Sequence, residues 1–546
     1  MSSQRRNSIG VVYLVGAGPG DPGLLTVRAR DLLAACDAVV YDALVNPVIL
    51  GGGTVNEAAE LHYVGKRGGK ASSVKQAEIT ELLLRLAREG KRVVRLKGGD
   101  PLIFGRGSEE ALSLAGAGIP FEIVPGVTAG VAASAYAGIP VTHRGAATSV
   151  TFVTGHEDPT KEELGTNWPA LARSGGTLVL YMGVKRLPEI VRALVEGGMP
   201  PEMPAAVIEW GTYPRQRTVT AALGDLVDAA RREGIQAPSI TVIGRVVALR
   251  DEIRWFDNRP LYGKRIVVTR ARTQASELTA RLRELGADVI EAPSISIEPL
   301  DTAPLRSALA RIGEYRWAVF TSQNSVRLVW EELRSSGRDA RALAGVRLVA
   351  VGPGTAAALL EHGLAPDVVP ERFQAEGVIE ALRAAEGAVE VRGEGGGEIE
   401  EHIRGARVLY PRAEGARDVL AAGIRAMGAE VDDIPIYRSV PASDGALAVR
   451  EALDRGDVDV LTFTSSSTVR YFVDAVGLAP ARSTRIVTMG PITSETARAL
   501  GLTVDMEARE ATIASLVDAV EMIAAPPEPL TVARTLSDSG TDRQGV

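Results

Sequence analysis

The sequence predicts an α/β protein of several domains, and three observations support this fold class. The chain has 546 residues, more than one hydrophobic core usually supports, so we expect two to four domains. Short apolar runs typical of strands, such as 11–16 and 92–98, alternate with amphipathic helical stretches such as 73–89. The second half of the chain also contains an internal repeat. Alternating strands and helices favour parallel or mixed sheets covered by helices.

The internal repeat predicts two similar α/β domains in the second half. Three pairs of segments match in the same order and at nearly the same offset, which is hard to obtain by chance. A period this long indicates a duplicated domain rather than a solenoid of short repeats. The matched pairs are 263–297 with 405–439, 317–329 with 460–472, and 349–364 with 487–502.

Changes in composition indicate the domain boundaries. The segment 255–265 separates a terminal strand from the start of a new one, so we place one domain at 10–256 and the next at 261–525. The Gly- and Glu-rich segment 390–405 is expected to be a mobile insertion. The tail at 526–546 contains Pro, Ser and Asp but has no periodicity, and it is expected to be disordered.

Composition also excludes several classes of protein. The net charge of −7 provides no overall positive field for nucleic acid or an anionic membrane. The single cysteine, Cys36, rules out an internal disulfide, and the five histidines lack metal-ligand spacing, so no metal is expected. No apolar run approaches the roughly 20 residues of a membrane span. The first ten residues lack the apolar core of a signal peptide, and we expect a cytoplasmic location.

A glycine-rich loop near the start of the chain leaves two interpretations open. The segment 12–29 indicates a strand, a Gly/Pro-rich loop and a helix whose free N–H groups suit a ligand. Gly16 and Gly18 fit a dinucleotide fingerprint, with Asp42 as the acidic residue that follows the next strand. The third glycine position, however, holds Asp21, and Pro19 stiffens the turn. An NAD(P)-dependent oxidoreductase is therefore one alternative for this half.

A series of loop motifs runs through the rest of the first half in unbroken order. The motifs are YDALV (41–45), VGKRGG (64–69), RLKGGDPLIFGRGSEE (95–110), IVPGVTAG (123–130), IPVTHRG (139–145), VTGH (153–156), LYMGV (180–184), EWGTYPRQRT (209–218) and APSITVIGRVV (237–247). Over residues 10–256 this series resembles the S-adenosylmethionine-dependent uroporphyrinogen-III C-methyltransferases. The block GGDPLIFGRG is the most specific of these motifs. The resemblance disfavours the NAD(P) alternative.

This resemblance implies a tetrapyrrole methylase fold, in which two α/β subdomains hold the cofactor in the cleft between them. It also implies two methyl transfers from S-adenosylmethionine to uroporphyrinogen III, giving precorrin-2. The residues at the family's catalytic positions are Asp42, Lys66 and Arg106, and Glu109 and Arg144 are expected to line the substrate side of the cleft. The residues at its cofactor-binding positions are Pro19, Gly98, Gly99, Asp100, Ile103, Thr128, Ala129, Met182 and Gly211.

The second half has duplicated polar loops but no Ser–His–Asp, Cys–His or metal-ligand set. These loops are FTSQNSV (320–326) with FTSSSTV (463–469), and VGPGTA (351–356) with MGPITSE (489–495). Together with PIYRS (435–439), they resemble uroporphyrinogen-III synthase over residues 261–525. The resemblance implies a bilobal duplicated α/β fold with one lobe at 261–295 and 439–523 and the other at 300–433. A two-stranded linker at about 295–299 and 434–438 is expected to join the lobes.

The synthase resemblance implies cofactor-free closure of hydroxymethylbilane to uroporphyrinogen III, with loss of water and inversion of ring D. Tyr437 matches the tyrosine proposed to assist loss of the hydroxyl group. Hydroxyl and amide side chains at helix starts also suit the carboxylates of the substrate. The expected substrate contacts are Ser322, Asn324, Thr355, Ser465, Ser466 and Thr493.

The two resemblances together predict a bifunctional enzyme of porphyrin, cobalamin or sirohaem biosynthesis. The second half would make the substrate that the first half methylates. An alternative from another class is a methyltransferase fused to a non-catalytic tetrapyrrole-binding module. The expected partners are small-molecule tetrapyrroles, with no nucleic acid and no membrane, and the methyltransferase half is expected to form a homodimer.

Overall fold

A computed structural model shows an α/β protein, which confirms the predicted fold class. The chain divides into two compact units, 1–263 and 264–546. Within the described ranges, no helix is both long enough and apolar enough to cross a membrane. The structure describes residues 9–51, 53–65, 76–155, 166–269, 272–292, 295–386, 403–441, 446–478, 481 and 484–524. The expected disordered tail and most of the expected insertion at 390–405 lie outside these ranges.

The first unit begins with a five-stranded sheet in the order β3-β2-β4-β1-β5, in which all neighbours are parallel. Most residues of its central strands are buried, as expected for a sheet that is covered on both faces, and β4 buries Arg95 and Lys97 among its apolar residues. Parallel strands bring their carboxyl ends to one edge, where ligands of α/β proteins bind. The elements are β1 (Val11–Gly16), α1 (Val27–Ala35), β2 (Ala38–Tyr41), β3 (Glu60–Tyr63), α2 (Gln76–Arg88), β4 (Arg92–Lys97), α3 (Gly107–Gly116), β5 (Phe121–Val124) and α4 (Ala129–Tyr136).

A second sheet in the same unit has the order β6-β7-β10-β8-β9 and is mixed. Strands β6 and β7 are parallel, while β10 pairs antiparallel with both β7 and β8, and β8 pairs antiparallel with β9. The elements are β6 (Val150–Thr154), α5 (Trp168–Ala172), β7 (Thr177–Tyr181), α6 (Leu187–Glu196), β8 (Pro204–Glu209), β9 (Arg217–Ala222), α7 (Leu226–Arg232), β10 (Ser239–Ile243) and α8 (Arg250–Ile253).

The second unit contains two further five-stranded sheets. One has the order β12-β11-β18-β19-β20 and is parallel throughout. The other has the order β13-β17-β16-β14-β15 and is parallel except at β13. The elements up to β16 are β11 (Arg265–Val268), α9 (Arg272–Glu284), β12 (Asp288–Glu291), β13 (Ile295–Pro299), α10 (Ala303–Ala310), β14 (Trp317–Phe320), α11 (Gln323–Ser335), β15 (Arg347–Ala350), α12 (Pro353–Glu361), α13 (Ala375–Glu386) and β16 (Arg407–Ala413).

The chain passes between these two sheets through an antiparallel pair of strands. Strand β13 pairs with β17 over 295–299 and 437–441, so only 437 and 438 of the linker segment expected at 434–438 pair with β13, and the pairing continues to 441. The same long strand β17 also pairs parallel with β16. The remaining elements are α14 (Val419–Ala426), β17 (Glu430–Pro441), α15 (Ala446–Asp454), β18 (Val460–Phe463), α16 (Ser466–Val476), β19 (Arg485–Thr488), α17 (Pro491–Ala499), β20 (Met506–Glu507) and α18 (Ile513–Ala524).

Candidate functional sites

Three loops of the first unit meet at the carboxyl edge of its parallel sheet. The loops after β1 and β4 exchange two backbone hydrogen bonds, from Gly18 N to Gly99 O at 3.2 Å and from Gly99 N to Gly18 O at 2.7 Å. The loop after β5 approaches equally closely. A Cβ atom on Gly16 would lie 2.5 Å from Gly126 Cα and 2.6 Å from Gly99 O. Only glycine therefore permits this contact between loops.

The carboxylate of Asp100 holds two of these loops together. Its Oδ1 accepts from Leu102 N at 2.8 Å, and its Oδ2 accepts from Gly126 N at 3.1 Å. Asp100 is half-buried, and each carboxylate oxygen has a second lone pair. The side chain can therefore fix the loops and still accept a hydrogen bond from a ligand.

The start of α4 lies beside these loops. Tyr181, the last residue of β7, accepts a hydrogen bond at its hydroxyl from Gly130 N at 2.7 Å and shares another with Thr128 Oγ1 at 2.6 Å. Burial raises the pKa of Tyr181, although both hydrogen bonds oppose this, so the phenol is neutral at physiological pH. A Cβ atom on Gly99 would lie 3.7 Å from Ala129 N. The predicted contacts Gly99, Thr128 and Ala129 are therefore adjacent.

Left-handed backbone conformations are concentrated around this edge. Met182 follows Tyr181 with φ 55° and is half exposed, and Gly211 lies between two residues with positive φ. Each such residue is strained by about 1 kcal/mol or more, and strain of this kind clusters at functional sites. Within the described ranges, the non-glycine residues with positive φ are Phe104, Arg106, Met182, Trp210 and Thr212.

Gly211 also packs against α4, where a Cβ atom would lie 2.3 Å from the Cβ of Ala133. The ring of Phe104 lies 5.0 Å from that of Tyr181. The loops after β4, β7 and β8 are therefore linked to α4 by direct contacts. The predicted contact Ile103 lies in the loop after β4 and the predicted contact Pro19 in the loop after β1. Both residues are partly exposed.

Asp42 lies at the end of β2 and is held on both carboxylate oxygens. Its Oδ1 accepts from Leu44 N at 3.1 Å, and its Oδ2 lies 3.4 Å from the guanidinium of Arg95. Leu44 also contacts the predicted cofactor loop, because a Cβ atom on Gly98 would lie 2.6 Å from its Cβ. The structure thus places Asp42 next to the residues predicted to bind the cofactor.

A buried cluster of charges lies behind Asp42. The fully buried Oε1 of Glu110 lies 3.3 Å from Arg95 Nε, 3.1 Å from Lys97 Nζ and 2.9 Å from Gln76 Nε2. Among the described residues, its buried Oε2 has no hydrogen-bond partner. Desolvation lowers the pKa of Lys97, the charge of Arg95 adds to this, and Glu110 opposes it. We call Asp42, Arg95, Lys97 and Glu110 the buried charge cluster.

The other predicted substrate residues of the first unit are less constrained. Arg106 and Glu109 form a bidentate ion pair at 2.9 and 2.7 Å, and both are more than half exposed. Their hydrogen bond raises the pKa of Arg106 and lowers that of Glu109. Arg144 is exposed on the loop before β6. Lys66 lies outside the described residues.

In the second unit, three predicted residues meet at one hydroxyl group. Tyr437 on β17 is only 6% exposed, and its hydroxyl lies 2.9 Å from Ser322 Oγ. Burial raises the pKa of Tyr437, while side-chain hydrogen bonds with Ser322 and Asn324 oppose the shift. Ser322 also begins α11 by accepting from Ser325 N at 3.0 Å. Thr355 is buried in the first turn of α12.

The corresponding loops of the other sheet hold the remaining three predicted residues. Ser465 begins α16 through a reciprocal capping box with Thr468. Ser466 Oγ donates to Ile492 O at 3.1 Å and accepts from Thr496 Oγ1 at 2.8 Å, which ties the starts of α16 and α17 together. Thr493 is buried in the first turn of α17. The hydroxyl of Ser465 therefore acts as a helix cap, and that of Ser466 links the starts of two helices.

The sequence interpretation did not identify the roles of Arg95, Lys97, Glu110 and Tyr181. One signal for the cluster was available, since Arg95 and Lys97 occupy alternate positions on either side of Leu96 in a strand with the sequence RVVRLK. Alternate residues share a face of a sheet, and two buried cations require a carboxylate partner. The partner on α3 and the cap from Tyr181 depend on tertiary contacts.

Comparisons with known proteins match both halves. The family model of tetrapyrrole (corrin/porphyrin) methylases matches residues 11–227, and that of uroporphyrinogen-III synthase HemD matches residues 276–518. A porphyrin biosynthesis protein HemD of Ruminiclostridium josui is 38% identical over 510 residues, which is 93% of this chain and 97% of the relative.

Two further similar proteins correspond to the first half alone. An S-adenosyl-L-methionine-dependent uroporphyrinogen III methyltransferase of Methanosarcina barkeri is 51% identical over 242 residues, covering 44% of this chain and 94% of the relative. Among solved structures, a uroporphyrin-III C-methyltransferase of Thermus thermophilus complexed with S-adenyl homocysteine is 41% identical. That likeness covers 44% of this chain and 93% of that one, with a TM-score of 0.37.

Proposed function

Because this chain belongs to the family of porphyrin biosynthesis proteins that fuse a tetrapyrrole methylase to a uroporphyrinogen-III synthase, we propose that it catalyses two consecutive reactions. The second half cyclises hydroxymethylbilane to uroporphyrinogen III with inversion of ring D. The first half then transfers two methyl groups from S-adenosylmethionine to that product, giving precorrin-2. The alternative of a methyltransferase fused to a non-catalytic binding module is not favoured.

We assign the methyltransferase to residues 10–256 and the synthase to 261–525. The synthase has one lobe at 261–295 and 439–523 and the other at 300–433. The way the strands are divided between the two sheets supports this assignment. One sheet contains β11, β12, β18, β19 and β20, and the other contains the strands from β13 to β17. The tail at 526–546 belongs to neither enzyme.

The observation that carries the methyltransferase proposal is the meeting of glycine loops beside the start of α4. The glycines allow the backbone to approach a ligand closely, and Asp100 offers acceptors for hydroxyl or amino groups. The half-exposed Met182 offers a polarizable apolar surface for an adenine ring. These features fit S-adenosylmethionine, bound by Pro19, Gly98, Gly99, Asp100, Ile103, Thr128, Ala129, Met182 and Gly211.

When bound, S-adenosylmethionine supplies an electrophilic methyl group, so the protein mainly orients the pyrrole carbon that attacks it. A proton must then leave the ring system. Asp42 is the proposed acceptor, because Arg95 and the Leu44 N–H fix the orientation of its carboxylate. Lys66 and Arg106 are the proposed partners in proton handling and substrate binding. Arg106 reaches a substrate carboxylate by releasing the exposed Glu109, while Arg144 lines the same side.

For the synthase, the buried phenol of Tyr437 is the proposed acid. Its raised pKa keeps the phenol protonated, so it can donate a proton to the departing hydroxyl group of the bilane, and the proton that ring closure releases from a pyrrole carbon restores the phenol. The remaining step is ring closure in one conformation, which the protein favours by holding the substrate carboxylates. No redox change occurs, and we propose that this half needs no cofactor. The proposed substrate contacts are Ser322, Asn324, Thr355, Ser465, Ser466 and Thr493.

We further propose a cytoplasmic homodimer formed through the methyltransferase half, with small-molecule tetrapyrroles as its partners. Dimerisation is expected from the methyltransferase resemblance. Sedimentation of the whole chain at several concentrations tests it, and a constant monomer mass would contradict it.

The methyltransferase residues are tested with uroporphyrinogen III, S-adenosylmethionine and the full-length chain. We expect Asp42→Asn to lose at least about 100-fold in methyl transfer, the lower end of the range for a general base. Asp37→Asn is the matched control, because Asp37 lies at the opposite end of the same strand. Equal methyl transfer by Asp42→Asn and the control would remove Asp42 from the mechanism.

The synthase residue is tested with hydroxymethylbilane alone. We expect Tyr437→Phe to slow formation of the type III isomer, so that spontaneous closure to type I increases. Tyr315→Phe is the control, because its hydroxyl also binds a side chain in the same lobe, the carboxylate of Asp432. An unchanged isomer ratio and rate in Tyr437→Phe would show that the phenol is not the acid.

A further inference from the structure

The connector that leads out of the methyltransferase half packs against that half's own cofactor loops. We define the connector as residues 254–262. Phe256 and Leu261 are buried, and Trp255 Nε1 donates to Ala135 O at 3.0 Å at the end of α4. Arg250 anchors the start of the segment by bonding to Asp257. These contacts extend past residue 256, where the composition of the sequence placed the domain boundary.

One side of the connector supports the loop after β1 through Tyr136. The ring of Tyr136 lies 4.8 Å from that of Phe256 and 5.1 Å from that of Trp255. Its hydroxyl donates to Asp21 Oδ2 at 2.6 Å. Asp21 N in turn donates to Thr212 Oγ1 at 3.0 Å, which joins the loop after β1 to the loop after β8.

The other side of the connector supports the loop after β8 through Tyr262. The ring of Tyr262 lies 5.6 Å from that of Phe256, and its hydroxyl donates to the backbone oxygen of Gln216. Burial raises the pKa of Tyr262 to about 12, so the donor proton is present at neutral pH. Gln216 Oε1 accepts from Thr212 N at 2.8 Å.

These contacts form a closed circuit between the connector and the two loops. Thr212 receives support from both directions, and its backbone is left-handed at φ 71°. Such a conformation persists only where surrounding contacts hold it. The two loops are also in direct contact, since a Cβ atom on Gly20 would lie 2.1 Å from the Tyr213 ring. The members of the circuit are Asp21, Tyr136, Phe256, Tyr262, Gln216 and Thr212.

We propose that the connector is a working part of the methyl-donor site, in which Tyr136 and Tyr262 are positioning residues for the loops that carry Pro19 and Gly211. The proposal rests on the proposed function, which assigns Pro19 and Gly211 to the cofactor. It means that the junction between the two enzymes also sets the affinity of the first enzyme for its methyl donor.

The test uses Tyr262→Phe and Tyr136→Phe in the full-length chain. Each removes one hydrogen bond and keeps the ring, so both proteins should fold. We expect Tyr262→Phe to bind S-adenosylhomocysteine about 3- to 10-fold more weakly by titration calorimetry, the range for loss of one neutral hydrogen bond. Tyr136→Phe, which loses a hydrogen bond to the Asp21 carboxylate, should weaken binding by at least as much. The KM for S-adenosylmethionine should rise by a similar factor with little change in kcat, which a purely structural role would not produce. Tyr315→Phe in the second unit is the control and should leave the affinity unchanged.

A second measurement, made without ligand, distinguishes failure of the connector proposal from failure of the cofactor assignment. Amide hydrogen exchange of residues 210–216 without ligand should be faster in both variants than in the wild type and in Tyr315→Phe. Unchanged exchange together with unchanged affinity would overturn the role of the connector. If the wild type failed to bind S-adenosylhomocysteine, the cofactor assignment would fall, while faster exchange in the variants would still support the circuit.

Discussion

Replacement of Glu110 by glutamine should strongly destabilise the first unit. The substitution keeps the shape of the side chain but removes the negative charge that faces Arg95 and Lys97. Both cations are almost completely buried, and of the carboxylates in the described ranges only that of Asp42 would then remain to compensate them. Removing one partner from a buried ion cluster costs about 3–5 kcal/mol, because the remaining charge is left uncompensated. For a unit of 263 residues, about 2–4 °C per kcal/mol predicts a loss of roughly 6–20 °C in Tm.

The assay is differential scanning calorimetry of the full-length chain with and without S-adenosylhomocysteine. The transition that the ligand raises belongs to the first unit, since a ligand stabilises the state that binds it. Glu122→Gln is the matched control, because Glu122 pairs with Arg28 on the exposed surface. Such exposed pairs contribute about 0–1 kcal/mol. If the Tm of Glu110→Gln lay within a few degrees of that of Glu122→Gln, the buried charge cluster would not stabilise the first unit by the predicted amount.

Two further predictions concern neighbouring groups. Tyr181→Phe leaves Gly130 N without its 2.7 Å acceptor, which should lower the free energy of unfolding by about 1–3 kcal/mol. The Tm of the ligand-sensitive transition should therefore fall, and an unchanged Tm would refute this prediction. The lowered pKa of Lys97 means that, between this pKa and the ordinary 10.5, the native state binds fewer protons than the unfolded chain. The free energy of unfolding should therefore rise with pH between the lowered pKa and 10.5. Subtracting the profile of Lys97→Met isolates this rise, and identical slopes would contradict it.

Much of the fold was predictable because strand patterns and the internal repeat are local properties of the sequence. The α/β class and the two enzyme halves are confirmed. The helix expected at 73–89 is described at 76–88. The packing of connector residues such as Leu261 and Tyr262 was not predictable, because the composition of 255–265 indicates a linker. Their burial depends on the end of α4 and on the loop after β8.

The candidate site was predictable where a motif dictates backbone geometry. Gly211 occurs where the structure needs close approach and Gly99 where the backbone has a φ of 70°, and the cofactor-binding role given to them stays a prediction. The buried charge cluster was not predictable, because the contact between Lys97 and Glu110 depends on the path of the loop 98–106, which packs α3 next to β4. Ser322 and Tyr437 are far apart in sequence, and only the sheet order β17-β16-β14 brings them together.

The most direct test of the bifunctional account is a single incubation of the full-length protein with hydroxymethylbilane and S-adenosylmethionine, with products separated by mass and by isomer type. We predict a dimethylated type III product. Unmethylated type I product would contradict the synthase assignment, and type III product without added methyl groups would contradict the methyltransferase assignment.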